Sequence, residues 1–411
     1  MLDAAAAWQA IARHLDPLPS ESTPRAEALG RVLAAEVAAT VDMPPADVSA
    51  MDGYAVAGDP SPGEVLPVVG VAAAGHLLSQ RLEPGQAAKI MTGAVVPPGA
   101  NRVVQVEWTD GGDEQVRLDQ VTPPGAHIRR AGEVVATGDR LFAQGTVLTP
   151  GALSMLASHG HAEVPTHRPP RVRILATGDE VVPPEDEPAP GQLRDSNSSF
   201  LLAAGRSLGL DFEPLGIAPD DPDSIAELIR RGLEAEVLLL CGGVSMGDYD
   251  YVEAVLDDLG CDTLFDKVAI QPGKPLVVAR QPSTGRWVFG LPGNPASVMV
   301  TFWLFVRPAL RRMMGLDDGY WHGGLDAELA SPLPGAKGRD RFLPTAISIR
   351  DGALLAHPAP PVGSHDVASY SVGSALVRVP AHSPPRTAGE RCQVLPLADW
   401  RIAGHARPDG A

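Results

Sequence analysis

Five short apolar runs, each followed by a polar or glycine-rich turn, dominate the stretch from Arg171 to Met314. The runs are Val172–Ala176, Leu215–Ala218, Val237–Cys241, Leu276–Ala279 and Trp287–Gly290. Runs of this length between turn signals are typical of strands buried on both faces of a sheet. Helical patterns at Ser198–Leu208, Ile225–Leu233 and Tyr251–Leu259 separate several of them. This alternation predicts βαβ units and an open parallel α/β sheet, which gathers its site at the carboxyl ends of the strands.

Capping residues mark where the predicted helices begin. Asp195 or Ser196 is expected to cap the first helix, and Asp223 or Ser224 the second. Asn294, followed by Pro295, is expected to cap a long helix that ends near Met314. That helix is apolar nearly all round, so it must be buried on several sides, either in the core of its own domain or at an interface.

The turns carry groups that suit a phosphorylated ligand. Gly242 and Gly243 let the backbone approach a ligand closely, Ser245 adds a hydroxyl, and the helix start that follows favours an anion. Taken alone, this loop is also typical of an ordinary tight turn between strand and helix. Lys274, between two prolines, would supply a fixed positive charge for phosphate.

Three acidic residues, Glu180, Asp220 and Asp250, each lie a short way past a strand-like run. A single such acid is usually a helix cap or a solvated loop residue. Three acids at one sheet edge predict a site for a hard cation, because Mg²⁺ takes one or two carboxylates together with substrate phosphate oxygens.

The flanking regions have a different pattern, rich in short β-like runs. We expect Val65–Val71, Ala87–Met91, Arg102–Val106 and Gln115–Leu118 before the α/β region, and Leu325–Ala330, Asp340–Ile349, Ala353–Ala356, Ala375–Val379 and Cys392–Leu397 after it. Helices are expected at Ala4–His14, Ala26–Ala38 and Pro150–His159. The predicted fold is therefore multidomain α/β, a doubly wound central domain with two β-rich modules. The predicted segments are 1–38 with 140–170 as an N-terminal linker and helical module, 39–139 as an inserted β-rich domain, 171–315 as the α/β domain and 316–411 as a C-terminal β domain.

Charge and cysteine content exclude some function classes. A net charge of −17 argues against a nucleic-acid partner, which usually needs a basic face. The three cysteines are widely spaced and odd in number, which indicates a reduced, cytoplasmic compartment. No run of about 18 apolar residues predicts a membrane span, and the N-terminus lacks the basic region of a signal peptide.

The turn motifs together resemble a known family. They are Thr177-Gly178-Asp179-Glu180, Asp195-Ser196-Asn197, Gly242-Gly243-Val244-Ser245-Met246-Gly247 with Asp250, Pro272-Gly273-Lys274-Pro275 and Leu291-Pro292-Gly293-Asn294-Pro295. In order and spacing they resemble the molybdopterin-binding domain of the molybdopterin molybdenumtransferases, the family of MoeA and the gephyrin E domain. Further signatures extend the resemblance over nearly the whole chain: Ser49-Ala50-Met51-Asp52-Gly53-Tyr54-Ala55, Ile90-Met91-Thr92-Gly93-Ala94, Gly338-Arg339-Asp340-Arg341-Phe342 and Gly363-Ser364-His365.

The resemblance implies a reaction and a set of roles. Adenylylated molybdopterin and molybdate would give molybdenum cofactor and AMP, with Mg²⁺ as the usual divalent cation. Asp52, Thr92, Glu180, Asp220 and Asp250 would be catalytic, and the last three would hold the cation. The substrates would be bound by Asp195, Asn197, Gly242, Gly243, Ser245, Lys267, Lys274, Pro292, Asn294, Pro295, Arg339 and Ser364.

The resemblance also implies partners. A homodimer is expected, with the α/β domain of one protomer facing the C-terminal β domain of the other. Arg339 and Ser364 have no evident partner within their own β domain, which favours such sharing. An upstream adenylyltransferase and downstream molybdoenzyme chaperones are the expected protein partners.

Two positions depart from the family pattern. Val134 stands where an Asp is common, so either that acid is dispensable or Glu133 or Asp139 replaces it. Gln271 stands where a Lys is common, which predicts weaker basic binding of an oxyanion. His365 has no evident catalytic partner by spacing and is expected to be a turn or surface residue.

Two other functions stay open at this point. One is the sister adenylyltransferase, but its loop has Thr-Gly where this chain has Val244-Ser245, and it lacks the long flanking segments. The other is a non-catalytic scaffold on the same fold, which the retained acids, Asp52 and Glu180 among them, argue against.

Overall fold

The computed structural model describes residues 1–242 and 249–397, and for residues 249–251 the backbone only. The chain divides into two compact units, described separately below. One unit comprises Met1–Glu21, Gly30–Val32 and the chain from Thr166 on, and the other comprises Ser22–Leu29 and Leu33–Pro165.

A six-stranded sheet forms the centre of the first unit. Its strands, in spatial order, are Phe212–Ala218, Val172–Thr177, Val237–Cys241, Arg286–Leu291, Val277–Gln281 and Asp262–Phe265. The first four are mutually parallel. The predicted apolar runs are thus strands, with Val237–Cys241 as predicted and the ends of the others shifted by at most three residues.

The last two strands in this order pair antiparallel with their neighbours, whereas the sequence predicted a parallel sheet. Val277–Gln281 and Arg286–Leu291 are joined by a tight turn in which Gly285 N–H donates to Gln281 O at 2.8 Å. So short a connection permits only an antiparallel pair, because a parallel crossover needs about a dozen residues or more.

Helices cover both faces of this sheet, so the domain is doubly wound, as predicted. They are Ser196–Ser207, Pro222–Gly232, Tyr249–Asp258, Pro295–Thr301 and Arg307–Met313, the last two joined by a π-helical turn at Phe302–Val306. Along Val237–Cys241, Leu239 packs in one apolar cluster and Leu238 and Leu240 in another. This strand needs apolar residues at consecutive positions because both of its faces are buried.

The long helix after Asn294 belongs to the core of its own unit. Its residues Val298, Val300 and Phe302 through Val306 are buried in the larger cluster, together with the N-terminal helix Ala4–Ala12. Of the two possibilities left by the sequence, core and interface, the structure selects the core.

One predicted cap was wrong, and Asn294 is the N-cap residue as predicted but by position only. Asp221, not Asp223 or Ser224, caps the helix Pro222–Gly232, because its carboxylate accepts the N–H of Ser224 at 2.8 Å. The Asn294 side chain makes no capping hydrogen bond; its carbonyl accepts the N–H of Ser297 instead. Asp195 does cap its helix, accepting from Ser198 N–H at 2.9 Å.

The C-terminal strands close into a barrel. They are Leu325–Leu329, Asp340–Arg350, Ala353–Pro358, Ala375–Val379 and Arg391–Pro396, with one short helix at Val367–Ser371. Asp340–Arg350 pairs with both Ala353–Pro358 and Ala375–Val379, so the strand order returns to its start. Ile270–Gln271, a short strand from the α/β region, adds to Asp340–Arg350 in parallel and joins the two domains of this unit.

The second unit contains a five-stranded sheet in the order Arg102–Gln105, Gly53–Val56, Ala87–Ile90, Val65–Ala72 and Gln115–Arg117. The helix Pro150–Ser158 is capped by Thr149, as expected. Shorter elements of the chain are the strands Ser20–Pro24, Val37–Ala38, Val48–Ser49, Ile128–Arg129, Arg140–Phe142, Glu163–His167, Val181–Val182 and Leu193–Arg194, and the 3₁₀ turns Arg25–Glu27 and Val106–Trp108.

The predicted helix Ala26–Ala38 was wrong. Only the 3₁₀ turn Arg25–Glu27 forms there, and the chain is a strand again at Val37–Ala38. Gly30 adopts a φ of +76°, a left-handed conformation that ends helical geometry, so apolar residues at helical spacing are buried without a helix.

Candidate active site

The polar turns of the α/β domain meet at one edge of its sheet and line a cavity of about 560 Å³. Parallel strands such as Val172–Thr177 and Val237–Cys241 end at the same edge, so the residues that follow them come together. We call this the acid cavity. The predicted site residues that line it are Glu180, Asp195, Asn197, Asp220, Gly242, Pro292, Asn294 and Pro295.

Reciprocal hydrogen bonds link the two turns that carry Glu180 and Asp220. Asp179 N–H donates to Asp220 Oδ2 at 3.3 Å, and Asp220 N–H donates to Asp179 Oδ1 at 3.0 Å. Glu180, next to Asp179, is exposed and caps no helix, since Asp195 and Asp221 have that role. The carboxylates of Glu180 and Asp220 therefore stand in the cavity without a helix-capping function.

Three predicted residues lie outside what the structure describes: Gly243, Ser245 and the side chain of Asp250. Among the described residues, no group of three or more His, Cys, Asp or Glu side chains is placed to hold a metal ion. Glu180 and Asp220 still share one cavity. Two carboxylates are a donor set that fits Mg²⁺ bound together with substrate oxygens.

Two oxygen atoms of the acid cavity are buried without a hydrogen-bond partner in the described part of the chain, Asn197 Oδ1 and Thr177 Oγ1. Asn197 Nδ2 donates to Gly293 O at 2.9 Å. A carbonyl can only accept, so the amide nitrogen must face Gly293 and Oδ1 is the group left over. A buried acceptor without a donor is costly, so this part of the cavity is suited to a ligand that donates N–H groups.

A second cavity, of about 430 Å³, adjoins the first, since Pro275, Pro292 and Asn294 line both. We call it the cation cavity. The predicted residues Lys274, Arg339 and Ser364 line it, and so does Gln271, which departs from the family pattern. Three further polar residues of its lining, Ser297, Arg341 and Tyr370, were not among the predicted site residues. Arg341 was detectable in principle, because it belongs to the same signature, Gly338 to Phe342, as Arg339.

One loop serves both cavities. Ser364 lines the cation cavity and its carbonyl accepts Ala296 N–H at 3.3 Å, while His365 lines the acid cavity. Asp366 holds the loop by capping the next helix through Ser369 N–H at 3.0 Å. His365 is thus a cavity residue, which its spacing in the sequence did not indicate.

Arg339 and Ser364 also have neighbours that the sequence analysis did not find for them. They line the cation cavity together with Lys274 of the α/β domain in the same chain. They thus face the α/β domain of their own chain, because the short strand Ile270–Gln271 pairs with Asp340–Arg350 and draws the two domains together.

In the other unit, Asp52 and Thr92 contact each other directly. The strand Gly53–Val56 pairs with Ala87–Ile90, which brings the residues beyond their ends together. Both Thr92 N–H and Thr92 Oγ1–H donate to Asp52 Oδ1, each at 2.7 Å. These bonds, the backbone one first, lower the pKa of Asp52, which is therefore ionised at neutral pH. The Thr92 hydroxyl proton is already used, so donating it to an oxyanion would require breaking the bond to Asp52.

The remaining predicted residues have local partners. Lys267 Nζ pairs with Asp266 Oδ2 at 2.6 Å and lines neither cavity. Near the Val134 departure, Glu133 Oε2 accepts Arg130 N–H at 2.8 Å and Asp139 Oδ2 accepts Ala136 N–H at 2.9 Å. Both acids close turns of their own segment. Cys241 is buried at a strand end and burial raises the pKa of its thiol, so its role is packing.

A larger, open cavity of about 740 Å³ lies against the acid cavity and shares Gly178, Val181 and Asp195 with it. Its other walls are largely apolar, with Pro183, Pro184, Leu202, Pro214, Ile217 and Pro219 among them. The acid cavity is thus bordered by apolar surface on one side and by cations on the other.

This fold and site define a class: α/β proteins with acids at the carboxyl edge of the sheet and an attached β-barrel. Family models match three successive stretches, the MoeA N-terminal region (domain I and II) at residues 2–160, a probable molybdopterin binding domain at residues 173–312, and the MoeA C-terminal region (domain IV) at residues 326–397. The chain belongs to the MoeA family of molybdopterin molybdenumtransferases.

Individual relatives agree. The molybdopterin molybdenumtransferase 2 of Mycobacterium tuberculosis is 36% identical over 388 residues, covering 92% of this chain and 95% of its own. The molybdopterin molybdenumtransferase of Nostoc sp. is 35% identical, covering 90% and 86%. A crystal structure of the molybdopterin biosynthesis MoeA protein from Pyrococcus horikosii superposes with a TM-score of 0.83 at 30% identity, covering 97% of this chain and 100% of that one. The expected family and fold are thereby confirmed.

Proposed function

We propose that this chain inserts molybdenum from molybdate into adenylylated molybdopterin, with release of AMP. Membership in a family whose curated relatives are named molybdopterin molybdenumtransferase supports the activity. The observation that carries it in this chain is the pair of adjoining cavities, one lined by carboxylates and one by cations. The reaction needs this pairing, because one substrate brings a phosphoanhydride with its cation and the other is an oxyanion.

In the proposal, the acid cavity takes the phosphoanhydride of the organic substrate. Glu180 and Asp220, with Asp250, would hold Mg²⁺ there, and the ion, when bound, would neutralise charge on the phosphate oxygens. Asn197 Oδ1 and Thr177 Oγ1 would accept hydrogen bonds from N–H groups of the pterin ring and so orient the substrate. Gly242, Gly243 and Ser245 would contact the same substrate, as the family resemblance implies.

The cation cavity would take molybdate. Lys274 supplies a point charge, Arg339 a planar fork of donors, and Ser364 a hydroxyl, a set that suits a tetrahedral dianion. Pro292 and Asn294 line both cavities, so the two substrates would meet beside them. Asp52 and Thr92 are proposed to face the substrate as well, on the resemblance alone.

We extend the proposal to a homodimer that works in the cytoplasm, between an adenylyltransferase that supplies its substrate and chaperones that take its product. Three free, buried cysteines are consistent with a reducing compartment. Among the described residues, no helix has the length and apolarity to cross a membrane.

The test is to incubate the purified protein with adenylylated molybdopterin and to follow AMP. We expect release only when molybdate and a divalent cation are both present, and loss of release when a chelator is added. AMP release that is unchanged by chelator, or that needs no molybdate, would contradict the proposal. A parallel reaction with unadenylated molybdopterin and ATP tests the adenylyltransferase alternative, which the named relatives do not favour.

A further inference from the structure

Arg341 stands beside Gln271 in the wall of the cation cavity. The strand Ile270–Gln271 pairs in parallel with the start of Asp340–Arg350, and in this register Gln271 is the partner of Arg341. Both side chains line the cavity, with Lys274 and Arg339. The neutral amide that departs from the family pattern therefore has a guanidinium as its neighbour.

The Arg341 guanidinium is incompletely satisfied. Its Nη1 donates to Gly335 O at 3.0 Å, but its Nε is buried and has no hydrogen-bond partner in the described part of the chain. The adjacent carboxylate, Asp340, is taken by Arg378, whose Nε lies at 2.9 Å and Nη2 at 2.8 Å from Asp340 Oδ2. Among the side chains that the structure describes, no carboxylate forms an ion pair with Arg341, Arg339 or Lys274.

An unpaired donor of this kind is costly. A buried N–H of a charged group loses its hydration without gaining a hydrogen bond. Such a group is expected where a further interaction offsets this cost. Packing within the barrel explains the bond to Gly335 O, but it leaves the positive charge of Arg341 without a carboxylate partner. An anion bound in the cavity that Arg341 lines would pair with this charge.

We propose that Arg341 is a third cationic ligand for the oxyanion in the cation cavity. The inference rests on the proposed function, because it assigns the cavity's ligand to the molybdate class. It revises the expectation that Gln271 weakens oxyanion binding, since the charge missing at that position is present on the facing strand.

The experiment is isothermal titration of the full-length protein with sodium molybdate at fixed pH and ionic strength, with no organic substrate present. Losing a charge-assisted hydrogen bond typically weakens binding by about tenfold to a hundredfold, which we expect for Arg341→Gln. Arg341→Lys keeps the charge without the fork and should bind with intermediate affinity. The double variant Gln271→Lys/Arg341→Gln returns a cation to the paired position and should recover much of the loss.

Arg350→Gln is the matched control, because Arg350 is an exposed cation on the same strand and lies outside the cavity. Unchanged affinity in Arg341→Gln, with the wild type binding normally, would overturn the inference and leave the proposed function intact. An equal loss in Arg350→Gln, or no recovery in either charge-restoring variant, would overturn it too. Failure of the wild type to bind molybdate would instead overturn the oxyanion assignment of the cavity itself.

Discussion

Glu180 and Asp220 differ from several acidic residues of the α/β domain in what their carboxylates do. Asp195 and Asp221 cap helices, and Glu213 and Glu234 pair with Arg173. Glu180 has neither a capping bond nor an ion pair among the described residues, and Asp220 accepts one long backbone hydrogen bond. Carboxylates that line a cavity and neither cap a helix nor form an ion pair are candidates for binding a cation.

Glu180→Gln should lower the rate of AMP release by about 10²-fold or more, the usual cost of removing an electrostatic catalytic element. The melting temperature should stay unchanged, because the side chain supports no packing or cap. Glu187→Gln is the control, since Glu187 is exposed in the same loop and lines none of the three cavities described above. A parallel fall in melting temperature would indicate that Glu180 has a structural role after all.

At the scale of elements, Glu236 joins the beginnings of two neighbouring strands, Val172–Thr177 and Val237–Cys241. Its carboxylate accepts Arg171 N–H at 2.9 Å and guanidinium N–H groups of Arg171 and Arg168 at 3.1 Å. Burial raises the pKa of Glu236, but these hydrogen bonds outweigh burial and lower the pKa from 4.5 to about 2. A carboxylate whose pKa is lower in the folded state than in the unfolded state stabilises the fold at pH values above its unfolded pKa. This stabilisation is lost as the pH falls through the folded pKa.

Glu236→Gln should therefore lower the free energy of unfolding at pH 7 by about 3 kcal/mol. The difference from wild type should shrink as the pH falls from 4.5 toward 2, because the wild-type carboxylate then becomes protonated. Urea unfolding at a series of pH values measures this. Glu213→Gln, which removes an exposed partner of Arg173, should cost less than about 1 kcal/mol. A Glu236 effect that stays constant down to pH 3 would contradict the assignment.

Gly53 determines how closely its strand packs against a neighbouring strand in the other sheet. A Cβ atom at this position would lie 2.0 Å from Val104 O and 2.9 Å from Gln105 Cα, both on the backbone of the strand Arg102–Gln105. Gly53 thus permits the close approach of Arg102–Gln105, while the pairing of its strand with Ala87–Ile90 on the other side brings Asp52 to Thr92.

Gly53→Ala should cost about 3 kcal/mol of stability, since the two strands must separate. Urea unfolding followed by circular dichroism measures the loss. Gly151→Ala is the control, because that glycine lies in the helix Pro150–Ser158 with its nearest neighbour 3.8 Å from the added carbon, and it should cost nothing. Equal midpoints for both variants would refute the close-packing argument.

For the whole molecule, the open question is which parts of the site one protomer supplies. We expect a dimer by sedimentation, as the family resemblance implies. Within one chain, the acid cavity and the cation cavity already adjoin. Glu180 and Arg339 should therefore act in the same protomer.

Mixing inactive Glu180→Gln protein with inactive Arg339→Ala protein tests this. After subunit exchange, confirmed by mass, we expect no recovered AMP release, because no protomer carries both intact residues. Recovery toward half of a wild-type dimer would instead show that the site is shared between the α/β domain of one protomer and the C-terminal β domain of its partner.

Local pattern was sufficient to predict elements wherever burial is periodic. The residue types of Val237–Cys241 are sufficient to predict a strand, because a strand buried on both faces must be apolar at consecutive positions. The motif turns at Thr177 and Asp195 were also visible, and parallel topology predicts that they gather at one edge. Two features were not predictable from local pattern. The antiparallel pairing of Val277–Gln281 depends on which strand lies beside it, and the absence of a helix at Ala26–Ala38 depends on the φ angle of one glycine.

What the sequence by itself determined is the inventory: the doubly wound domain, its acid turns and the basic residues of the β domain. What only the tertiary structure decided is which of these groups face each other. Arg341 and Gln271 are 70 positions apart in the chain and become neighbours through a two-residue strand pairing. His365 enters the acid cavity because its loop packs on the start of a helix far away in sequence. Such contacts join distant segments, and no local preference encodes them, because their energy comes from the partner that folding brings close.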